Sequence, residues 1–305
     1  YSTTGVPTIP FYVYYSMFGF QRIGDFAWAA GDSRARGFLL GGTAGRTTLN
    51  GEGLQHQDGH SHVLSSTIPN LRSYDPAFAY EIAVIVREGI RRMYVNQHDE
   101  FYYLTLHNED TYEMPAMPEG VEDGIVKGLY KFRTSDLKQP AARAHLFGSA
   151  VAVPIALRAA TWLEEHLKVA ADVWSATSYV ELRRDGLDCD RWNRLHPGKK
   201  ARTPYVADVL SKEDGVIVAV SDYMKILPDG IRPWVPLPLT ALGTDGFGRS
   251  DTREALRDHF EIDHRFMILA VVQSLVNEGK LKSADLKKVI KDLQIDPEKP
   301  NPHSA

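Results

Sequence analysis

From residue 50 to residue 62 the chain reads NGEGLQHQDGHSH, which crowds His56, His60 and His62 among Glu52, Asp58 and three glycines. Such a stretch is open to three chemistries. The His-x-x-x-His-x-His spacing with nearby carboxylates could hold zinc, which wants convergent ligands steadied by hydrogen-bond partners of their own. A metal hydrolase built on His56, His60 and His62 is the function that would follow. Alternatively, a glycine-rich loop lets the backbone come close to a ligand, and His56 could exchange protons near neutral pH. Glu52, four residues earlier, could orient that imidazole. The third reading is a polar turn whose imidazoles bond backbone carbonyls. A helix would put His56 and His60 on one face, but Gly51, Gly53 and Gly59 oppose a helix there. Spacing alone leaves all three open.

Phosphate chemistry fares worse. GGTAGRTT, residues 41–48, superficially suggests a P-loop, but the motif fails twice: Leu40 stands where the first glycine belongs and Arg46 replaces the lysine. No Gly-x-Gly-x-x-Gly follows a strand either. Cys189 is the sole cysteine. It can form no intramolecular disulfide and fits a reducing, cytoplasmic setting. Two flanking aspartates disfavour its thiolate, so it reads as a structural thiol.

These residues need elements to hold them. Residues 11–30 are rich in aromatics, and helical spacing would let one face present Tyr15 and Phe18 together. RGFLLGG reads as a short buried strand ahead of the polar loop. DPAFAYEIAVIVREGIRRMY has a helix start at Asp75-Pro76 and helical apolar spacing through Ile90. EFYYLTLHN alternates as a strand does. The Pro- and Gly-rich stretch 113–124 marks a candidate domain boundary. Beyond it ARAHLFGSA, ADVWSATS, GVIVAVSD and PLTALGTDG read as strands. VPIALRAATWLEEHLK between them reads as a helix with Pro154 in its first turn. That alternation predicts an α/β layer structure with a largely parallel sheet. Ser250/Asp251 and Ser283 are the expected caps of two closing helices, and the tail DPEKPNPHSA is expected to fray.

Composition narrows the partners. The 305 residues carry 35 basic and 39 acidic side chains, net −4, mixed along the sequence. No basic stripe suits nucleic acid. No run reaches the roughly 18 apolar residues of a membrane span. The opening YSTTGVPTIPFYVYYS has no initiating Met and reads as the interior of a domain, as expected for a piece of a longer polypeptide.

Longer strings say more than these patterns. YYSMFGFQRIGDFAWAAGDSRARGFLLGGTAGRTTLNGEGLQHQDGHSH resembles the homodimeric bacterial type of pyruvate dehydrogenase, the decarboxylating first component of its complex. So do SYDPAFAYEIAVIVREGIRRMY, MPAMPEG, RDGLDCDRWNRLHP and LGTDGFGRSDTREALRDHFEID. The resemblance runs from about Pro10 to Ala305. It implies a partial thiamin-diphosphate pyrimidine-binding domain over residues 1–117, followed by a transketolase C-terminal-like α/β domain over 118–305. It also implies a homodimer with the active site between subunits, and a lipoyl domain on the acyltransferase component as partner.

By resemblance, His56 lies beside the cofactor's thiazolium and the substrate, Tyr15 lies near the pyruvate carboxylate, Phe18 stacks on the aminopyrimidine, and Glu52 is an active-centre acid. The implied chemistry suits those types. Negative charge growing on the substrate oxygen wants fixed hydrogen-bond donors, and reductive acetylation of a lipoyl disulfide wants an acid for the departing sulfur. The family's cofactor-activating glutamate and its Gly-Asp-Gly…Asn signature for Mg²⁺-diphosphate are absent from these 305 residues. None of them is therefore assigned to metal, Mg²⁺ is expected to be bound mainly by an N-terminal domain, and the chain alone is expected to be inactive. Two other readings stand beside this one. One is another transketolase-like 2-oxoacid or ketose enzyme. The other is a dimerisation and docking module residing from about Glu119 onward.

Overall fold

A computed structural model describes residues 3–109 and 113–305. Its first part runs β1 (Phe11–Tyr15), α1 (Ser16–Asp32) and β2 (Phe38–Gly42), then a long loop to α2 (Ser61–Ser65). β3 (Leu71–Tyr74), α3 (Ala79–Ile90) and β4 (Phe101–Leu106) complete it. The four strands form a parallel sheet in the order β1-β2-β4-β3. The second part begins with α4 (Glu122–Lys127), β5 (Tyr130–Arg133), β6 (Ala142–Gly148), α5 (Ala152–Leu167) and β7 (Val169–Ser175). It continues through α6 (Tyr179–Leu195), α7 (Tyr205–Val209), β8 (Val216–Val220), α8 (Ile226–Asp229) and β9 (Leu239–Leu242). α9 (Arg253–His259), α10 (His264–Asn277) and α11 (Ser283–Asp292) close the chain. Its sheet runs β5-β7-β6-β8-β9, with only β5 antiparallel.

The central strands explain themselves. Every residue of VAADVWS in β7 and of VIVAV in β8 is buried, as parallel strands covered by helices on both faces require. The alanine face of α5 packs on them with α10, so their small and branched side chains fill one core. The two parts are joined through polar groups as well as apolar ones. Glu81 of α3 accepts hydrogen bonds from Tyr130 of β5 and Ser175 of β7, and Asp75 donates its amide to Thr177 O.

Several local expectations change. Tyr15 ends a strand rather than sharing a helix with Phe18, because the aromatic run pairs with β2 before α1 begins. α3 starts at Ala79 and not at Asp75-Pro76: Phe78 is extended, and the Glu81 carboxylate takes the amides of Ala77 and Phe78 at that end. Thr252, rather than Ser250 or Asp251, caps α9 by accepting from Ala255 N. Ser283 is the first residue of α11, whose start is closed by Asp285 accepting from Lys282 N. The tail is docked rather than frayed, since Pro302 is buried and Lys299 lies 4.6 Å over the Phe266 ring. β1 is an exposed edge strand whose Phe11, Tyr12 and Val13 face solvent. Such an apolar edge is open to further pairing.

Candidate active site

β1 and α1 meet the polar loop at one point. Tyr15 at the end of β1 and Phe18 in the first turn of α1 both turn toward His56, which sits in a single helical turn, Leu54–His56. The Tyr15 and His56 ring centres are 5.5 Å apart. Phe18 meets His56 edge-on at 5.1 Å and Tyr15 at 6.0 Å. The strand-to-helix junction explains the convergence, since a side chain at the strand's end and one in the helix's first turn project to the same side.

His56 Nδ1 lies 3.1 Å from Glu52 Oε2. A carboxylate only accepts, so Nδ1 carries the proton and Nε2 is the nitrogen left with its lone pair. The pair is partly open, with 27% of the His56 side chain and 48% of the Glu52 side chain accessible. All four residues singled out in the sequence, Tyr15, Phe18, Glu52 and His56, therefore stand together in one partly exposed cluster. Arg22, one turn after Phe18, lays its guanidinium 4.0 Å over that ring.

The zinc reading fails on geometry. His60 turns to Gln21 of α1, with its ring nitrogen against the amide nitrogen. His62 is buried under Tyr103 and Tyr223 and bonds Thr105 at 3.0 Å. Burial holds both imidazoles below the usual histidine range. His56 is committed to Glu52, so the three rings point to three different partners. Among the described residues the set with metal-ligand spacing is instead His145, Asp172 and Glu213. It is already closed: Lys131 Nζ bonds Asp172 and Glu213 at 3.1 and 2.7 Å. His145 spends both ring nitrogens, accepting from Trp174 Nε1 and donating to Asp214 O.

GGTAGRTT proves to be an anchor for the loop rather than a phosphate cradle. Thr47 donates its amide and its hydroxyl to the Asp222 carboxylate at 3.1 and 2.8 Å, across a separation of 175 residues. Gly45 has φ +90°, and a Cβ there would lie 2.2 Å from Asp222 Oδ2, so only glycine admits this approach. Burial pushes the Asp222 carboxyl up to about 6. Nearby, Arg257 reaches Thr47 and pairs with Glu109. No local spacing signals these partners, and the sequence reading missed them. Cys189 is buried, and burial followed by Asp185, Asp188 and Asp190 raises its thiol above the usual range, in keeping with a structural role.

Comparisons with known proteins follow this geometry. Residues 1–115 match the pyruvate dehydrogenase E1 component middle domain, and residues 128–263 match the transketolase-like C-terminal domain. The chain is 54% identical over 303 residues to the pyruvate dehydrogenase E1 component of Pseudomonas aeruginosa, covering 99% of the chain and 34% of that protein. It is 52% identical over 307 residues to that of Escherichia coli K12, covering 100% and 34%. It thus spans about a third of the length of the curated relatives it matches. Among solved structures, transketolase from Leishmania mexicana aligns with TM-score 0.63 at 17% identity, over 88% of this chain and 34% of its own. A split-gene transketolase described as an inactive beta4 tetramer aligns with TM-score 0.59 at 18% identity, over 90% and 78%. At these identities the structural likeness speaks for the fold alone.

Proposed function

We propose that this chain is a piece of a pyruvate dehydrogenase E1 component, as its identity of 52–54% to such components supports, and that it supplies one wall of a thiamin-diphosphate active site that decarboxylates pyruvate. The complete enzyme would pass the two-carbon unit to the lipoyl group of an acyltransferase partner by reductive acetylation. Residues 1–117 would be the later part of the pyrimidine-binding domain and residues 118–305 the transketolase C-terminal-like domain. A second copy of the subunit would complete the cleft, in the cytoplasm. Among the described residues no helix is long and apolar enough to cross a membrane.

The observation that carries this reading is the convergence of Tyr15, Phe18 and the Glu52–His56 pair in one partly exposed cluster. The residue set fits the aromatic end of the cofactor. Phe18 is half-buried, and its ring already accepts the planar Arg22 guanidinium at 4.0 Å, so a flat heterocycle has a platform. The diphosphate end finds no counterpart among the described residues, so Mg²⁺ is assigned to the remainder of the subunit. When bound, thiamin diphosphate supplies the nucleophilic carbon and the electron sink for carboxylate loss.

The residues here orient and donate. Tyr15, whose side chain is about half exposed beside His56, would offer its hydroxyl to the oxygens of the 2-oxoacid. Glu52, by accepting from Nδ1, holds the His56 ring and would leave Nε2 free to act on the substrate. In its protonated form His56 can give a proton to the thiolate released when the acceptor's S–S bond opens.

A ketose-using enzyme on the same scaffold is the alternative, and substrate profiling separates the two. With the complete enzyme, pyruvate is expected to be turned over and ketose phosphates to be left untouched. Turnover of a ketose phosphate with none of pyruvate would move the assignment to that alternative.

A further inference from the structure

His56 is carried by a loop that the second part of the chain holds in place. Both ends of that loop meet the segment just after β8. Thr47 bonds the Asp222 carboxylate at one end, and Met224 N donates to Gly59 O at 2.8 Å at the other. Between those ends the loop after β9 lies on it. Gly51 N donates to Asp251 O at 2.9 Å, Arg253 N to Asn50 Oδ1 at 2.9 Å, and Arg253 Nε to Thr48 O at 2.7 Å.

The contact closest in sequence to His56 is made by the next residue. Gln57 is fully buried, whereas the His56 side chain is partly exposed. Gln57 Oε1 accepts from Arg249 N at 2.7 Å, across a separation of 192 residues. Gly248 lets the two loops close to this distance: a Cβ there would lie 2.5 Å from Leu54 O and 3.0 Å from Gln57 Cβ. His56 N donates to Gly53 O and Gln57 N to Leu54 O, so the helical turn that ends at His56 runs directly into the buried residue. The imidazole is thus fixed twice. Glu52 holds the ring about its own bonds, and Gln57 holds the backbone from which the ring projects.

Gln57 is not retained for packing alone. Its Nε2 is buried and has no partner among the described residues, which costs stability. An apolar side chain of the same length would fill the space without that cost. What the amide adds is the acceptor for Arg249 N, and with it the tie between the two loops.

We propose that Gln57 is a positioning residue for His56, holding the imidazole at the Tyr15–Phe18 cluster by clasping the loop after β9. This rests on the role proposed above for His56. It gives the second part of the chain a share in catalysis, because that part sets where the ring stands.

The test uses the full-length enzyme, assayed for pyruvate decarboxylation at saturating pyruvate, thiamin diphosphate and Mg²⁺. It closes a double-mutant cycle between Gln57→Met, which keeps the length and removes the acceptor, and His56→Ala. A residue that acts through His56 loses its effect once the imidazole is gone. A residue that only supports the fold costs the same factor in both backgrounds. Gln57→Met is expected to lower kcat about tenfold when His56 is present and less than about twofold when it is absent, as for slight misplacement of a catalytic group. Gln57→Glu retains an acceptor oxygen at the same reach and is expected to stay within about threefold of wild type. Gly248→Ala parts the loops without altering either side chain and is expected to repeat the pattern of Gln57→Met. An unchanged kcat in Gln57→Met would overturn the proposal, as would equal losses with and without His56. Full turnover by His56→Ala alone would strike at the role of His56 itself and take this proposal with it, and the single variant shows that before the cycle is closed.

Discussion

Replacing His56 by alanine in the full-length enzyme is expected to cut pyruvate turnover by about two orders of magnitude, the effect typical of losing a positioned proton donor. Stability should barely change, by about 0.5 kcal/mol or less, as for other surface-loop substitutions. The side chain is partly exposed, and its polar contact is to Glu52 in the same loop. The bond that closes its helical turn runs from the His56 amide to Gly53 O and survives the change. Steady-state kinetics beside a thermal unfolding curve checks both halves of the expectation. Near-normal turnover would remove His56 from the mechanism. A large drop in stability would make it a structural histidine instead.

The second large effect belongs to Glu81, far from the chemistry. Its carboxylate is fully buried and accepts four hydrogen bonds, from Ala77 N at 2.5 Å, Phe78 N at 3.2 Å, Tyr130 OH at 2.6 Å and Ser175 OH at 2.7 Å. Two of these donors belong to its own helix start and two to the second sheet. Glu81→Ala removes the acceptor these four donors share and is expected to cost about 3 kcal/mol. Glu81→Gln keeps the shape and an acceptor oxygen, and the two hydroxyls can turn to suit an amide, so it should cost far less.

The pH dependence has a definite sign. Burial holds the Glu81 carboxyl above the usual carboxylate range. Below that range folded and unfolded chains are both protonated there, and the group contributes no penalty. As pH rises through it, the unfolded chain ionises first and the folded state loses stability. Wild type should therefore lose ground to Glu81→Gln with rising pH, as read by denaturant unfolding at a series of pH values. An Ala variant as stable as wild type would mean that the two sheets are not tied through this carboxylate.

What the sequence displayed and what it hid divide along physical lines. The valine-rich strands β7 and β8 and the alanine-rich α5 are legible because burial on both faces forces apolar runs. The polar loop is legible as a loop because its glycines oppose a helix. The roles of Tyr15, Phe18, Glu52 and His56 came from resemblance, since spacing could not separate a zinc cage from a catalytic loop. Only the positions of Gln21 and Thr105 show why His60 and His62 turn away from His56. Caps were misplaced by one or two residues where several polar candidates adjoin. Ser250, Asp251 and Thr252 can all cap, and the one whose oxygen meets Ala255 N wins. The Thr47–Asp222 anchor joins residues 175 apart and leaves no local trace. Nor does the seating of the Gly248 loop on the His56 loop, which only the packing of the two sheets creates.

Pyruvate decarboxylation with thiamin diphosphate and Mg²⁺, measured on this chain alone and on the chain mixed with the remaining portion of an E1 subunit, tests the central claim most directly. Carbon dioxide release from the mixture, with none from the chain alone, is the predicted result and would assign Tyr15, Phe18, Glu52 and His56 to one wall of a shared site. Decarboxylation by the chain alone would contradict it, because these residues would then have to hold the whole cofactor themselves.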